Sequence, residues 1–540
     1  MLRVPAPGEQ RGPAARVTSA ELRWDAGWRE RTWSALAEPW DLIVVGGGIV
    51  GAGILRAAAA SGVRALLLER GDFASGTSSR SSQLVHGGLR YLAQGQFGLT
   101  RSAVTERDRL QNDAPGLVTP LDFLFPFYEG DRVKRLSYAA ALTAYDALAR
   151  RRSLRRVSAP DFALLSPSSH PLELIGGLRY REAQTDDARL VLHVLREGVT
   201  SGGRALNYAP VTSLLRGREG VCGVRVRDEI RERETEARAT VVVNATGAWA
   251  DGLRAEVGGA ARMRPLKGSH LVFAASRFPT SIGMNVLHPT DGRPITVAPW
   301  QGATLVGTTD IDHAKELDND ITITSAEVDY LLGALASPFR SLSLSRDDVV
   351  STWSGVRPTV RTGAATASRE LRAHVVWDEE GLLTVTGGKL TTFRLIAQDA
   401  LKTAARRLPA LAVAAPKAAS DHRRAPADDS PSVLRVSGRH GAEAADVLAV
   451  AEPGELEPLA GTPVTAAELR WAARSEGVAH LDDLLLRRVR LGLLLPDGGM
   501  ELFPLVRRIC QQELAWTDNR WDQEQAAYSS LIARCHAAPG

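Results

Sequence analysis

The stretch Asp41-Leu-Ile-Val-Val-Gly-Gly-Gly-Ile-Val-Gly-Ala-Gly-Ile-Leu55 decides the fold of this 540-residue chain. Asp41–Val45 is apolar and rich in β-branched residues, the pattern of a short buried strand. Three glycines follow, and Ile49–Ser61 then has an Ala-rich helical pattern. Val63–Leu68 reads as a second strand. Strand, turn, helix, strand is the opening of a doubly wound sheet. Within the turn, Gly46-x-Gly48-x-x-Gly51 has a spacing with a physical purpose. The first glycine permits a tight turn, the second lets the backbone approach a pyrophosphate, and the third packs helix on strand. The helix N-terminus favours the phosphate charge. Glu69 ends the second strand, where a carboxylate can accept from ribose hydroxyls. Gly46, Gly47, Gly48, Ile49, Val50, Gly51, Glu69 and Arg70 are thus the expected nucleotide contacts; a plain Gly-rich packing turn is the alternative.

Composition sets the frame for this unit. A hydrophobic share of 44% with 24% charged residues is that of a soluble globular protein. The length calls for two or three domains. A net charge of +4 excludes a global polycation for nucleic-acid packaging, while a pI near 9.0 leaves room for local basic patches. Cys222, Cys510 and Cys535 form no CxxC pair, which argues against a disulfide framework and a structural zinc site. The apolar stretch Leu42 to Leu55 is interrupted by glycines and too short to span a bilayer, and no signal-peptide region opens the chain. The chain is therefore read as cytoplasmic, or bound to a membrane from the cytoplasmic side.

Four regions are expected. Residues 1–40 form an N-terminal extension, with capping-box spacing at Thr18 and Glu21 and packing through Trp24 and Trp28. Residues 41–407 interleave cofactor and substrate domains, with strands at Gly220–Arg227, Ala239–Asn244, Leu271–Ala274, Ala303–Val306 and Leu382–Thr386. Helices are expected at Asp186–Ser201, Ser325–Ala336 and Leu390–Arg406. Residues 408–433 read as a linker rich in Ala, Pro, Asp and Arg. Residues 434–540 read as a helical C-terminal domain.

The glycine turn alone does not separate NAD from FAD. Three further segments favour the flavin. Thr77, Ser78, Ser79 and Ser82 lie in a hydroxyl-rich loop suited to diphosphate or ribityl oxygens. Ala245, Thr246 and Gly247 follow a strand and suit a second backbone approach to the nucleotide. Gly388, Lys389, Leu390 and Thr391 lie between a late strand and a helix whose N-terminus could face the flavin N1–C2=O region. Each loop alone reads as an ordinary turn or cap; the combination selects FAD.

The succession GGGIVGAG, TSSRSSQLVHGGLRYL, DDARLVL, VNATGAWAD, LKGSHLV, GTTDID, SGVRPT and TGGKLTTFR resembles FAD-dependent glycerol-3-phosphate dehydrogenase, over residues 41–406. LRWAARSEGVAHLDDLLLRRVRLGL, within Leu469–Leu495, resembles that family's helical C-terminal domain. Val50 stands where the family often has Asn, a change that a backbone phosphate contact tolerates. The resemblance implies an α/β fold: an FAD-binding Rossmann-type doubly wound domain with a mixed-sheet substrate domain like glycine oxidase and D-amino-acid oxidase. It also implies oxidation of sn-glycerol 3-phosphate to dihydroxyacetone phosphate, with electrons passing through FAD to a membrane quinone. Location on the inner face of the plasma membrane follows; a homodimer is left open.

A phosphorylated alcohol needs cationic donors beside the flavin. Arg90, Arg357 and Lys389, with Tyr91, lie in motifs that match the family and are expected to line one pocket. Thr308 and Thr309 are placed near the substrate by the resemblance, with a turn role as the alternative. Arginine, with a pKa above about 12, is a poor base, so the hydroxyl proton falls to a histidine. His270 and His86 are the two candidate catalytic histidines: His270 is the expected base or substrate orienter, Arg357 the electrostatic stabiliser, and His86, with Gly87, the alternative base or more readily the flavin contact. No metal is called for, and Asp186-Asp187 reads as a helix cap. Residues 131–156 hold eight Lys/Arg against two Asp, suited to an anionic membrane surface or, equally, to a solvated basic helix. With only Tyr138 and Tyr145 interleaved, nucleic acid is not an expected partner. The rival readings are a glycerol-3-phosphate oxidase using dioxygen and a flavin oxidase of an amino or 2-hydroxy acid.

Overall fold

Trp40–Val45 is buried at every position but Asp41, and a strand covered on both faces belongs to a parallel sheet flanked by helices. The computed structural model describes residues 24–88, 96–129, 132–148, 153–169, 174–313, 316–318, 320–363, 373–412 and 429–539, without the side chains of 132–135 and 137. In it, Trp40–Val45 lies between Ala65–Leu68 and Arg233–Asn244, parallel to both. Arg204–Leu206 extends the sheet beyond Ala65–Leu68, and Leu382–Gly387 extends it beyond Arg233–Asn244. His374–Glu379 closes that edge antiparallel. The first half of Arg233–Asn244 leaves the parallel sheet to pair with Gly220–Asp228, which pairs with Val211–Gly217. That strand is longer than the expected Ala239–Asn244 because its exposed, charged first half has no apolar run to signal it.

Helix Ile49–Ala60 packs between Asp187–Thr200 and Phe393–Ala404. Gly53 is in contact with the Phe393 ring, where an added Cβ would lie 2.7 Å from the ring carbon. This close packing brings the turns ahead of both helices to one edge of the sheet.

The second sheet is mixed and has ten strands. Its centre for function is Leu266–Ala274, flanked by Ala303–Gly307 and Val349–Arg357, both antiparallel to it. Leu266–Ala274 begins earlier than the expected Leu271 because Lys267, Ser269 and His270 are buried polar residues that interrupt the apolar pattern.

Of the C-terminal helices, Ala466–Ser475, Phe503–Leu514 and Asp518–Cys535 pack apolar residues on the second sheet, whereas Pro431–His440 packs through Val436 on Ala467 and Trp471. One core includes Trp300, Leu305 and Trp353 of the sheet together with Leu469, Leu485 and Ile509 of the helices. Pro431 starts a helix inside the stretch expected as linker, at the position where its fixed φ and missing N–H cost nothing; residues 413–428 lie outside the described residues. At the other end, Trp24 stacks on Phe73 at 4.9 Å and joins the largest hydrophobic cluster with Trp28, so the packing expected of these two rings ties the extension to the core. Thr18 and Glu21 lie outside the described residues.

Candidate functional site

The carboxyl ends of the parallel strands meet at one edge, the usual ligand crevice of an open α/β sheet. Gly46 leaves Trp40–Val45 at φ +115° with the Ala245 carbonyl pressed against it, where a Cβ would stand 2.5 Å from that oxygen. Only glycine combines that dihedral with that approach. A Cβ on Gly51 would run into the Gly46 carbonyl, so the helix rests directly on the strand. Glu69 accepts from the Gly47 N–H at 2.6 Å and the Gly71 N–H at 2.9 Å. Burial pushes its carboxyl up, opposed by those two N–H groups. Ser78 Oγ accepts from the Ile49 N–H at 3.1 Å, leaving its own proton to donate. Arg70 instead directs its guanidinium to Asp318 at 2.7 Å and over the Trp249 ring.

Three more of the expected segments reach this edge. The Ala245 N–H donates to Val45 O at 2.8 Å, and Thr246 is held by the buried Asn244. Thr386 Oγ1 donates to Gly247 O at 2.9 Å, tying Leu382–Gly387 to that turn. Gly388, at φ +76°, is followed by the 3-10 turn Leu390–Thr392 and helix Phe393–Ala404. Thr391 Oγ1 donates to the His86 carbonyl at 3.4 Å, so the turn containing Lys389 and the His86–Gly87 loop are neighbours. Arg90 and Tyr91 lie outside the described residues.

Strand register builds the other end. Gly268 faces Gly355, His270 faces Trp353 and Leu266 faces Arg357 across the pair of strands. Directly opposed residues share a face, so two glycines lie between His270 on one side and Arg357 on the other, and the space their missing side chains leave is taken by Arg357 and Thr308 over Gly268 and by Arg80 over Gly355. A Cβ on Gly268 would lie 2.5 Å from Arg357 Nη2 and 2.6 Å from Thr308 Oγ1. Arg357 donates to Thr308 Oγ1 at 3.2 Å and pairs with Asp310 at 2.9 Å. His270 is 2% exposed, stacks on Trp353 at 5.2 Å, and has Nε2 2.8 Å from Ser82 Oγ. Its buried Nδ1 has no hydrogen-bond partner among the described residues. Burial, reinforced by the Arg357 charge, pulls the imidazole down to about 3, so it is neutral at ordinary pH.

The opposite face of the same strands is a polar network. Glu327, third residue of helix Ser325–Leu335, completes a capping box with Thr324. Its carboxylate also takes Lys267 at 2.7 Å, Ser269 Oγ at 2.8 Å and Thr309 Oγ1 at 2.8 Å. Those donors hold it below the usual carboxylate range despite burial. Thr309 also accepts the Ser269 N–H at 2.9 Å, so its hydroxyl serves this network while Thr308 sits beside Arg357.

Several expected residues are thus brought together: Ser82 with His270, Thr308 with Arg357, and the glycine turn with Glu69, Ser78 and Ala245. The hydroxyls of Thr77 and Ser79 donate to protein carbonyls, Val356 at 2.5 Å and Gly76 at 3.4 Å. Sequence reading missed Gly268 and Gly355, whose pairing depends on register, and Glu327, whose only local signal was its capping spacing. It also missed a clamp on Gly87, whose N–H donates to Tyr145 Oη at 3.0 Å and whose Cα sits tightly against that ring. Tyr145 in turn donates to Glu182 at 2.6 Å, and Glu182 pairs with the buried Arg107.

The site fits a flavin dinucleotide on its own geometry, since the glycine cradle has no room for side chains and Ser78 keeps a free proton beside it. Comparison with known proteins agrees. Residues 41–397 match the FAD dependent oxidoreductase family, and residues 414–521 match the C-terminal domain of alpha-glycerophosphate oxidase. Glycerol-3-phosphate dehydrogenase 2 of Mycobacterium bovis is 35% identical, covering 97% of this chain and 92% of that protein. The glycerol-3-phosphate dehydrogenase of Mycobacterium leprae is 35% identical, covering 93% and 90%. The crystal structure of the glycerol-3-phosphate dehydrogenase from Bacillus halodurans complexed with FAD superposes with a TM-score of 0.76 at 28% identity, covering 94% of this chain and 97% of that one. The chain is an FAD-dependent oxidoreductase and belongs to the glycerol-3-phosphate dehydrogenase family.

Proposed function

We propose that the protein oxidises sn-glycerol 3-phosphate to dihydroxyacetone phosphate and delivers the electrons to a membrane quinone. The observation that carries this reading is the convergence on one sheet face of the Arg357 guanidinium, lying over Gly268, with a neutral, buried His270 two positions along the same strand as that glycine. Bound FAD supplies the acceptor for the hydride of the carbinol carbon. Gly46–Gly51, Glu69, Ser78 and Ala245–Gly247 would hold its nucleotide half, with Thr77, Ser79, Ser82, the His86–Gly87 loop and Gly388–Thr391 towards the flavin.

Arg357 offers the substrate phosphate a planar fork, and Lys389 and Arg90 add positive charge. Thr308, already bonded to Arg357, orients that fork. His270 takes the hydroxyl proton at Nδ1, the nitrogen without a partner, when Nε2–H donates to Ser82. Its lowered basicity is a consequence of burial and of the Arg357 charge. A phosphate dianion against Arg357 offsets the second cause, so substrate binding itself strengthens the base. A carboxylate substrate would carry half that charge, which favours a phosphate over an amino or 2-hydroxy acid.

Among the described residues no helix is long and apolar enough to cross a membrane. The basic helix Arg132–Leu148 exposes Leu136, and Arg155 and Arg156 lie exposed nearby in sequence, which supports peripheral attachment to anionic headgroups. Anaerobic mixing of the FAD-loaded enzyme with millimolar glycerol 3-phosphate should bleach the flavin; an unchanged spectrum refutes the substrate. Rapid reoxidation by a quinone analogue with little peroxide in air supports the quinone, whereas stoichiometric peroxide makes the protein an oxidase. Sedimentation with anionic vesicles at low salt, reversed at high salt, tests the attachment.

A further inference from the structure

Arg490, in the C-terminal helical region, is 1% exposed and adopts φ +66°, an uncommon conformation for a residue with a long side chain. Its guanidinium is engaged along its whole edge. Nη1 donates to Ser79 O and to Leu486 O, each at 3.0 Å, Nε donates to Asp186 at 3.1 Å, and Nη2 pairs with Asp187. The second oxygen of Asp187 accepts the Ser81 N–H at 2.9 Å. Residues 79 and 81 are therefore both held at their backbone, one by Arg490 directly and the other through its carboxylate partner. Ser82 comes next, and its hydroxyl meets His270 Nε2. Trp353, whose ring backs His270, donates its indole N–H to Ser81 O at 3.3 Å.

We propose that Arg490 is a positioning residue for the oxidation: it sets the Ser79–Ser82 segment so that Ser82 orients the His270 ring. Other buried ion pairs tie the C-terminal helices to the rest of the chain, among them Asp72 with Arg488 and Arg189 with Glu476. Neither ends on the segment that carries Ser82. The assignment rests on the proposed role of His270 as base, and it explains why a helical region remote from the nucleotide turn should affect the chemistry. Misplacement of a reacting group by about 1 Å costs on the order of a hundredfold in rate.

The test is a double-mutant cycle on the FAD-loaded enzyme, read in the anaerobic reduction rate with glycerol 3-phosphate and, separately, in hydrogen exchange of the Ser81 and Ser82 amides. R490M is expected to lower the limiting reduction rate about ten- to hundredfold with KM nearly unchanged. S82A is expected to lower it as well, and the double variant should be no slower than the slower single one. R490K, which keeps the charge, should recover part of the rate. Exchange at Ser81 and Ser82 should accelerate in R490M. Multiplicative rate losses, or an R490M enzyme that reduces normally, would overturn the proposal. If R490M does not fold, D187N interrupts the same path at Ser81 and enters the cycle in its place, judged by the same outcomes. A wild-type flavin that glycerol 3-phosphate does not reduce refutes the substrate reading; unchanged amide exchange in R490M or D187N refutes the positioning role whatever the substrate.

Discussion

At the nucleotide end, the chain presents backbone: Gly46–Gly51 are neighbours in sequence, and their shape is dictated by missing side chains. At the other end it presents side chains, Ser82, His270, Thr308 and Arg357, drawn from four segments and held by a polar network on the far face of their sheet. The nucleotide is the same in every turnover, so a rigid cradle formed by local dihedrals suffices. The substrate proposed above carries a phosphate dianion and gives up a proton, and buried side chains such as His270 and Arg357 are the groups whose charge can respond to it. The two ends should therefore fail in different ways.

The largest effect is expected from G51A. Its methyl would collide with the Gly46 carbonyl, and overpacking of about 2–3 kcal/mol should cost roughly a hundredfold in cofactor affinity. The readout is flavin per protein after purification; a full complement of flavin would break the contrast between the two ends. R357M should leave flavin content intact while lowering kcat/KM for reduction about a hundred- to a thousandfold, the worth of one or two charge-assisted hydrogen bonds. Equal loss of flavin would merge the two ends.

E327Q probes the support behind the substrate end. Lys267 would lose its counter-charge, and the stability loss should be about 2–3 kcal/mol, seen as a lower denaturant midpoint with an unchanged flavin spectrum. Unaltered stability would make the network dispensable.

The smallest effect is a pH dependence. Burial holds His270 down to about 3 and His536 down to about 4, each from an ordinary 6.5. A depressed histidine stabilises the native state above 6.5, and that stability drains away as pH falls through the window towards 4, because the unfolded chain takes up the proton first. H536N retains a donor for the Thr352 carbonyl, which His536 Nδ1 meets at 2.8 Å. It should therefore flatten the loss of stability between pH 6.5 and 4, and an identical slope in the variant would show that His536 does not contribute.

How much was legible beforehand follows the same division. The β-turn-α-β opening, Glu69 and the turn at Ala245–Gly247 were readable because short-range periodicity and glycine spacing report local backbone shape. The long unit Arg233–Asn244 was half visible, since its charged first half gives no apolar signal. Packing through Trp24 and Trp28 was legible, but not that they join the largest core, because an aromatic ring in the sequence does not say what it contacts. Asp186 was correctly read as a cap from its position ahead of the helix, and it does accept the Arg189 N–H at 3.2 Å. That it also pairs with Arg439 and Arg490 could not be read from its neighbours.

The sequence alone therefore determined the doubly wound cofactor unit, the flavin and the family, since each rests on residues near one another in the chain or on the order of motifs. Tertiary structure decided which of these residues act on one another. Ser82 and His270 are 188 positions apart, and Asp187 and Arg490 are 303 apart. Gly268 meets Gly355 only through strand register, where a shift of one residue would put His270 and Arg357 on opposite faces of the sheet. Contacts of that range arise from packing and pairing across the whole fold, so no local pattern encodes them.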